Sequence, residues 1–134
     1  MSSKSEETAA VEAANDSFYH AFEERDLDAM ALVWERSERS FCTHPGWPTL
    51  IGWRNIVRAW HALFSNQERL NFIVPQPTVH IEGGVAWVFC EENLIDVGPT
   101  GRIQTVNVFA KDSDGSWSMF GHVGSPAGPA TRSL

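Results

Sequence analysis

Apolar residues near the start of the chain recur at three- and four-residue intervals, the spacing of one helix face. The series includes Val11, Phe18 and Phe22. A capping-box pattern, a serine followed three residues later by a glutamate, starts at Ser3. We therefore predict a first helix over residues 3–24, with a narrow apolar stripe along one side.

Two further helices follow from the same period. Asp26 interrupts the first pattern and can cap a short second helix, which we predict over residues 29–36. Residues 52–65 carry a heavier apolar face and are predicted to form a third helix. We expect the first two helices to form a hairpin.

Alternating apolar and polar residues predict strands elsewhere. A short strand over residues 40–44 is stopped by Pro45-Gly46-Trp47-Pro48, because proline cannot extend a β-ladder. Turn-forming residues at 82–84, 98–101 and 112–115 separate four further strands. These strands, over residues 71–81, 85–95, 103–111 and 117–124, are predicted to form an antiparallel meander.

This order of elements predicts an α+β fold, a cone of three N-terminal helices packed on a strongly curved antiparallel sheet. We expect one domain over residues 1–126 and a flexible tail over residues 127–134. One sheet face covers the core, while the other carries Trp87 and Phe89 and is partly apolar. That outer face predicts a homodimer formed through the sheet.

The charge pattern narrows the choice of partners. The net charge is −7, with 10 scattered Lys and Arg residues against 17 Asp and Glu. No basic face is available for phosphates, so a nucleic acid partner is not expected, and no apolar stretch is long enough to predict a membrane span. Cys42 and Cys90 stand in apolar contexts far apart, which favours reduced thiols in a soluble cytoplasmic protein.

Several short motifs occur in a fixed order between residues 10 and 126. They are Phe18-Tyr19-x-Ala21-Phe22, His44-Pro45-Gly46, Gly52-Trp53, Val79-x-Ile81-x-Gly83-x-x-Ala86-Trp87-Val88, Val108-Phe109, Gly115-x-Trp117 and Ser125-Pro126. In this order they resemble the nuclear transport factor two-like superfamily, particularly its SnoaL-like branch and the association domain of calcium/calmodulin-dependent protein kinase. The resemblance implies a helix-lidded cone, usually dimeric, used for isomerisation, cyclisation, dehydration or plain oligomerisation.

The chain departs from that family at positions that matter for chemistry. Members that isomerise ketosteroids use an aspartate base with a tyrosine and a protonated aspartate as oxyanion donors. This chain instead offers Cys42 and His44 on the first strand and Asn107 on the third strand of the meander. Many relatives carry two histidines in the last strand, where this chain has glycine and valine with His122 between them.

Glu92 is the first candidate for chemistry. It shares one face of its predicted strand with Cys90, and the association-domain relatives have a charged pocket residue at the matching position. A carboxylate in an apolar cone has a raised pKa and can act as a general acid or base. The alternatives are an edge carboxylate paired with Arg102 or Arg58, or a one-residue change of register that turns Glu91 inward.

His44 is the second catalytic candidate, because histidine titrates near neutrality and this one lies at the predicted cavity. It could shuttle a proton or donate to a ligand oxygen. The alternative is that it fixes the turn at Pro45 through a backbone hydrogen bond. Further candidates for ligand contact on the predicted strands are Cys42, Cys90, Asn107 and His122.

Aromatic side chains can form the wall of a cavity for a flat or apolar ligand, or simply a packed core. Trp47 lies in a loop bounded by prolines and is expected at the rim. No metal-ligand spacing or phosphate-binding loop occurs, so neither a metal nor a cofactor is predicted. The other aromatic candidates for the wall are Trp34, Phe41, Trp60 and Phe64.

Two functions fit these patterns. The first is a small-molecule-binding protein, an enzyme of isomerase, cyclase or hydratase type, in which Glu92 is the acid or base and His44 and Asn107 orient the ligand. The second is a non-catalytic association module whose outer sheet face supplies the interface. The two are compatible, because pocket and interface would lie on opposite faces of the sheet.

Overall fold

Three helices and a curved sheet form the protein in the computed structural model, which describes residues 3–66, 70–95 and 101–127. The helices are α1 (Lys4–Glu24), α2 (Leu27–Val33) and α3 (Trp53–Ser65). The strands are β1 (Phe41–Thr43), β2 (Leu50–Ile51), β3 (Phe72–Ile73), β4 (Thr78–Glu82), β5 (Val85–Leu94), β6 (Arg102–Lys111) and β7 (Trp117–Pro126). The predicted α+β class is confirmed; the predicted tail beyond Ala127 and the turn over residues 98–100 lie outside the described residues.

Side-chain caps set the starts of the first two helices. The Ser3 hydroxyl accepts a hydrogen bond from the Glu6 amide at 3.1 Å, and the Asp26 carboxylate accepts one from the Ala29 amide at 3.0 Å. These caps satisfy N–H groups that have no partner within the helix. Because Asp26 is itself the cap, α2 begins at Leu27, earlier than the predicted start.

The end of α2 also differs from the prediction, which extended the helix to residue 36. Trp34 has extended backbone geometry, with ψ of 146°, and forms a parallel bridge with Met119 of β7. The Glu35 amide donates to the Met119 carbonyl at 2.8 Å. Pairing with the sheet therefore ends the helix.

All seven strands belong to one sheet, in the order β2-β1-β7-β6-β5-β3, with β4 also paired to β5. β4 to β7 form the predicted antiparallel meander. β1 joins β7 in parallel, a long-range pairing that the sequence pattern did not predict. The strand predicted over residues 71–81 is divided into β3 and β4 by Pro75 and Pro77, which cannot donate to a ladder.

The two faces of the sheet have different surroundings. The inner face packs against α1 and α3, and the fully buried core there includes Phe18, Ile56 and Trp60. The outer face carries exposed apolar side chains, among them Phe89 and Ile51. Within the described part of the chain, no helix combines the length and the hydropathy needed to cross a membrane.

Candidate functional site

A cavity of about 170 Å³ lies between the helices and the inner face of the sheet. Its wall combines α1, α3, the loop after β1 and strands β3, β5, β6 and β7. Among the described residues, the ionisable side chains of this wall are Glu92, His44 and His122. The apolar part of the wall includes Phe22, Leu63, Phe72, Leu94 and Ile103.

Strict alternation along β5 directs Glu92 into this cavity. Val88, Cys90 and Glu92 are buried on the inner face, with Glu92 5% exposed, whereas Glu91 lies on the outer face. Arg102 of β6 donates to the Glu91 carboxylate from its Nε at 3.0 Å. The sequence left open which glutamate faces the cone and which one pairs with Arg102; Glu92 lies inside, and the ion pair lies outside.

The Glu92 carboxylate accepts a hydrogen bond from the Tyr19 hydroxyl, with 2.6 Å between Oε2 and Oη. No Lys or Arg of the described residues forms an ion pair with it. Burial raises the pKa of Glu92 above its ordinary value, and the Tyr19 hydrogen bond opposes part of that rise. The protonated form of the carboxyl is therefore more favoured in this buried site than it would be in water.

Tyr19 is a site residue that the sequence patterns did not single out, although it is the chain's single tyrosine. It lies buried on the inward side of α1, four residues after the buried Asn15. Burial, together with the charge of Glu92, raises the pKa of Tyr19 far above its ordinary value, so the hydroxyl stays protonated and donates. Two polar residues one helical turn apart, within an apolar stripe, were the signal that could have identified it.

Hydrogen bonds connect Glu92 with His122 beneath the cavity through Tyr19 and Asn107; we call these four residues the polar chain. The Asn107 amide donates to Tyr19 Oη at 3.2 Å and to Asn15 Oδ1 at 2.9 Å. The Asn107 carbonyl oxygen accepts a hydrogen bond from His122 Nδ1 at 2.6 Å. Because that oxygen can only accept, the neutral imidazole carries its proton on Nδ1 and keeps Nε2 as an acceptor.

A β-bulge directs His122 inward. The register between β6 and β7 shifts after Val108, where β7 contains one extra residue, Phe120. Strict alternation from the buried Met119 would turn His122 to the outer face, but the extra residue reverses the phase. His122 is consequently 2% exposed and lies in the cavity wall.

Both histidines of the cavity are uncharged near neutral pH. Burial lowers the pKa of His44 to about 4, and burial together with the nearby His44 lowers that of His122 to about 3. The His44 ring packs edge-on against Trp47, at 5.0 Å between ring centroids, and its Nε2 lies 3.6 Å from Cys42 Sγ. The cavity therefore offers neutral imidazoles as hydrogen-bonding groups.

The two cysteines are free thiols, and neither is a wall residue of the cavity. Burial and the charge of Glu92 raise the pKa of Cys42 to about 12, and burial also raises the pKa of Cys90. Neither thiol is therefore activated as a nucleophile. Asn107 belongs to the polar chain but does not line the cavity. Among the described residues, no three His, Cys, Asp or Glu side chains form a group that could hold a metal.

The predicted aromatic wall is only partly at the cavity. Trp47 lines it and is 41% exposed. Trp60 and Phe64 pack together next to it, with 5.5 Å between ring centroids, and are not lining residues. Trp34 lies elsewhere in the core, where it packs against Trp53 at 6.1 Å between ring centroids.

Phe41 lies on the opposite face of the sheet from the cavity and is not a wall residue. Its ring covers Gly121 so closely that an added Cβ would overlap the ring. It also packs edge-on against Phe120, at 6.2 Å between ring centroids. Phe41 therefore fills the space beside position 121.

Comparisons with known proteins place this architecture in a family. A family model for the SnoaL-like domain matches residues 11–129. A structure from Thiobacillus denitrificans, provisionally named a calcium/calmodulin-dependent protein kinase type II association domain, is 30% identical, with a TM-score of 0.77 over 87% of this chain and 94% of its own. A structure from Streptomyces avermitilis, provisionally named a dehydratase of the NTF2-like family, is 26% identical, with a TM-score of 0.83 over 93% and 99%.

A curated relative is longer than this chain. The F-box protein SKIP8 of Arabidopsis thaliana is 29% identical over 116 residues, which are 86% of this chain and 48% of that protein. The chain thus spans about half the length of this relative. With a family match across most of its length, the chain belongs to the SnoaL-like domain family and has the NTF2-like fold.

Proposed function

We propose that this protein binds a small organic molecule in the cavity and exchanges a proton with it through Glu92, as an enzyme of isomerase, cyclase or hydratase type. The observation that carries the proposal is the buried Glu92 carboxyl, which faces an apolar wall and has the Tyr19 hydroxyl as its partner. Glutamate is rarely buried without a cationic partner, because the charged form loses its hydration. A perturbed carboxyl in a cleft is typical of functional sites.

The three reaction types share one step, a proton transfer next to a substrate carbonyl or hydroxyl group. In its protonated form Glu92 donates to a substrate oxygen, and in its ionised form it accepts a proton from substrate carbon or oxygen. A raised pKa brings the two forms closer in population near neutral pH, which favours general acid and base catalysis. Tyr19 holds one carboxyl oxygen and thereby fixes the direction of the other.

The remaining polar groups orient the ligand in this proposal. His44 and His122 form hydrogen bonds without adding charge, because burial keeps both imidazoles neutral. Asn107 positions Tyr19 and His122 from below and does not contact the ligand itself. Trp47 covers the ligand at the rim. The 26% identity to a structure provisionally named a dehydratase agrees with this reaction class.

Binding is tested first, with a chemically mixed panel of fragments titrated into ¹⁵N-labelled protein. We expect hits that shift the Trp47 indole signal together with the amide signals of β5 and β7. Ile103→Phe places a larger side chain in the cavity wall and should abolish those shifts. Fragments that move only surface signals, or shifts that persist in Ile103→Phe, would contradict ligand binding in the cavity.

Proton transfer is tested with the carbonyl compounds among the hits, by measuring deuterium uptake next to the carbonyl in D₂O. A general acid or base contributes about 10²–10⁴-fold to such a step. We therefore expect Glu92→Gln to lose most of the exchange rate, while Glu91→Gln on the opposite face keeps it. Equal rates in native protein and Glu92→Gln would leave Glu92 without a catalytic role.

The outer face favours a second candidate function, that of a non-catalytic association module. Whether the protein is an enzyme or such a module, this face favours a homodimer formed through the sheet. Phe89, Val106 and Val123 stand directly opposite one another across β5, β6 and β7. Phe89 is 48% exposed and Val123 37% exposed. A row of exposed apolar residues is typical of an interaction surface, and the 30% identity to an association-domain structure agrees with that use.

Association is tested by measuring the mass of the protein in solution by sedimentation. We expect Trp87→Asp to dissociate the assembly, because it places a charge on the outer apolar face next to Phe89. Leu32→Asp, at a 77% exposed position on α2, is the matched control and should leave the mass unchanged. An assembly that survives Trp87→Asp would exclude this interface.

The proposed location is the cytoplasm. Cys42 and Cys90 are both free and buried, and free thiols are usual in a reducing compartment. Fluorescence microscopy of the tagged full chain in its own host would test this, and a purely extracellular signal would contradict it.

A further inference from the structure

We propose, resting on the proposed function of the cavity, that its ligand is uncharged, about the size of one six-membered ring, and carries an oxygen that accepts a hydrogen bond, as in a cyclic ketone. The cavity volume sets the size of the ligand. The side chains of the wall set its charge. The directions of the hydrogen bonds around Glu92 set its polar group.

The size follows from the space between the helices and the sheet. The cavity measures about 170 Å³; an apolar cavity of ~150 Å³ accommodates benzene, whereas drug-sized ligands occupy roughly 300–1,000 Å³. An adjoining cavity of about 100 Å³ shares Phe22, Leu63 and Leu70 with it. A second fused ring would have to displace these shared side chains.

The described wall contains no lysine or arginine. Arg102 lies on the outer face with Glu91, and Arg25, on the wall of the adjoining cavity, donates to the Phe64 carbonyl at 2.6 Å. A buried anion would therefore lack a counter-ion, which is costly in an apolar site. His44 does not supply the missing positive charge, because with a pKa of about 4 only about one His44 in a thousand is protonated at pH 7.

A cation is also disfavoured, because pairing it with Glu92 would require both charges to lose their hydration in the cavity. Glu92 already has a neutral partner in Tyr19. The wall thus suits a ligand that brings no charge.

The polar chain fixes which hydrogen bond remains for the ligand. Tyr19 donates to Glu92 Oε2, so a protonated Glu92 carries its proton on Oε1 and can donate it into the cavity. Asn107 already accepts the Nδ1 proton of His122. The polar chain therefore leaves the Glu92 carboxyl as a donor, and the N–H of the neutral His44 imidazole is a second donor in the wall. Both select an acceptor oxygen on the ligand.

Four probes separate these features at pH 7. Cyclohexanone, cyclohexanecarboxylate and cyclohexylammonium share one ring and differ in charge, while 2-decalone adds a second ring to the ketone. Each is titrated into ¹⁵N-labelled full chain, with Trp47 and the amides of β5 and β7 as reporters. We expect cyclohexanone to bind at least about ten-fold more tightly than each of the other three, a difference equal to about 1.4 kcal/mol.

Two substitutions at Glu92 test the hydrogen bond itself. Glu92→Gln keeps an N–H donor of similar shape, and we expect the Kd of cyclohexanone to change by less than about three-fold. Glu92→Leu removes the donor and should weaken binding about ten-fold. Glu91→Leu, one residue away on the outer face, should leave the Kd unchanged, and native-like spectra of each variant confirm that it folds.

The outcomes distinguish this inference from the proposed function. Tighter binding of the carboxylate or the ammonium would overturn the uncharged class while leaving the cavity a ligand site. Equal binding of 2-decalone would overturn the size, and unchanged binding in Glu92→Leu would overturn the hydrogen bond. If the mixed panel yields hits but cyclohexanone does not bind, this inference fails alone; if the panel also yields none, the proposed function fails with it.

Discussion

The two faces of the sheet differ in the kind of side chain that each one buries or exposes. The inner face is buried, yet it carries a carboxyl, an amide and an imidazole, from Glu92, Asn107 and His122, none more than 5% exposed. The outer face carries exposed apolar residues, including Phe89 and Val123. Burying polar groups and exposing apolar ones both work against the stability of an isolated chain. Burial of an apolar core alone accounts for neither pattern; the proposed ligand would cover the inner polar groups, and the proposed second chain would cover the outer apolar ones.

The cost on the inner face is limited because its polar groups satisfy one another. Tyr19, Asn107 and His122 each donate to a neighbour within the polar chain. Such a network is worth more intact than the sum of its separate hydrogen bonds, and it is vulnerable to the loss of any member. The exposed apolar side chains of the outer face, such as Phe89 and Val123, have no hydrogen bonds to lose. Perturbations of the inner face should therefore have the larger effects on the folded chain.

Acidification should give the largest effect, and it acts on the inner face. His44 and His122 have folded-state pKa values of about 4 and about 3, below the ordinary 6.5. Their stabilising contribution is complete above pH 6.5 and is lost as the pH falls toward 4, because the unfolded chain then binds more protons. Each histidine adds up to about 1.4 kcal/mol per pH unit to the slope of the free energy of unfolding against pH. Urea denaturation between pH 7 and pH 4 should show this loss.

Glu92 acts in the opposite direction, because its folded-state pKa is raised. Its contribution is present at low pH and is lost as the pH rises through that value. Glu92→Gln should therefore make the free energy of unfolding fall more steeply as the pH is lowered. His44→Gln should make that fall shallower, by up to about 1.4 kcal/mol per pH unit. A slope that stays the same in His44→Gln would show that His44 is not buried in its neutral form.

Two tryptophans compare the faces directly. Trp60 is fully buried on the inner side, so Trp60→Ala should lower the free energy of unfolding by about 3–5 kcal/mol. Trp87, on the outer face, stacks on His80 at 5.7 Å between ring centroids, and Trp87→Ala should cost less than about 2 kcal/mol in the isolated chain. Urea denaturation at protein concentrations below association measures both. Equal losses would contradict the difference between the faces.

Removing one hydroxyl from the polar chain should have an intermediate effect. Tyr19→Phe removes the hydroxyl that donates to Glu92 and that accepts from the Asn107 amide, and it should cost about 1–3 kcal/mol. It should also raise the pKa of Glu92 further, because the lost hydrogen bond favoured the ionised form. A double-mutant cycle with Glu92→Leu isolates the pair, since much of the cost of Tyr19→Phe should disappear once the carboxyl that accepts the Tyr19 proton is gone. Strictly additive losses would show that the two side chains do not interact.

The smallest effect is expected at the neighbouring glutamate. Glu91 pairs with Arg102 on the solvent side of the sheet, and such pairs contribute little to stability. The unfolding midpoint of Glu91→Gln should match that of the native protein at high salt. A clear loss there, larger than that of Glu92→Gln, would reverse the ranking of the two faces.

Local patterns in the sequence were sufficient for most of the fold. Helical spacing predicted α1 and α3, and turn residues predicted the meander, because these features depend on neighbours in the chain. The parallel pairing of β1 with β7 joins segments far apart in sequence, and no local pattern encodes it. The bounds of α2 differ because Asp26 acts as the cap and Trp34 pairs with the sheet.

The candidate site was predictable only where alternation persists. The inward position of Glu92 follows from the period of β5, which runs without interruption from Val85 to Leu94. His122 required the bulge at Phe120, which no rule of alternation reveals. Tyr19 was missed because an aromatic residue in an apolar helix stripe is usually part of the core. The role of its hydroxyl depends on Glu92, which β5 brings next to it in the folded chain.

A ¹³C NMR titration of the Glu92 carboxyl in the full chain, assigned by comparison with Glu92→Gln, measures the protonation of this buried group directly. We expect a pKa clearly above the ordinary 4.5, with a further rise in Tyr19→Phe. A Glu92 that titrates at or below 4.5 would mean that the carboxylate is hydrated or paired with a cation, and this would contradict its proposed role as a buried general acid or base.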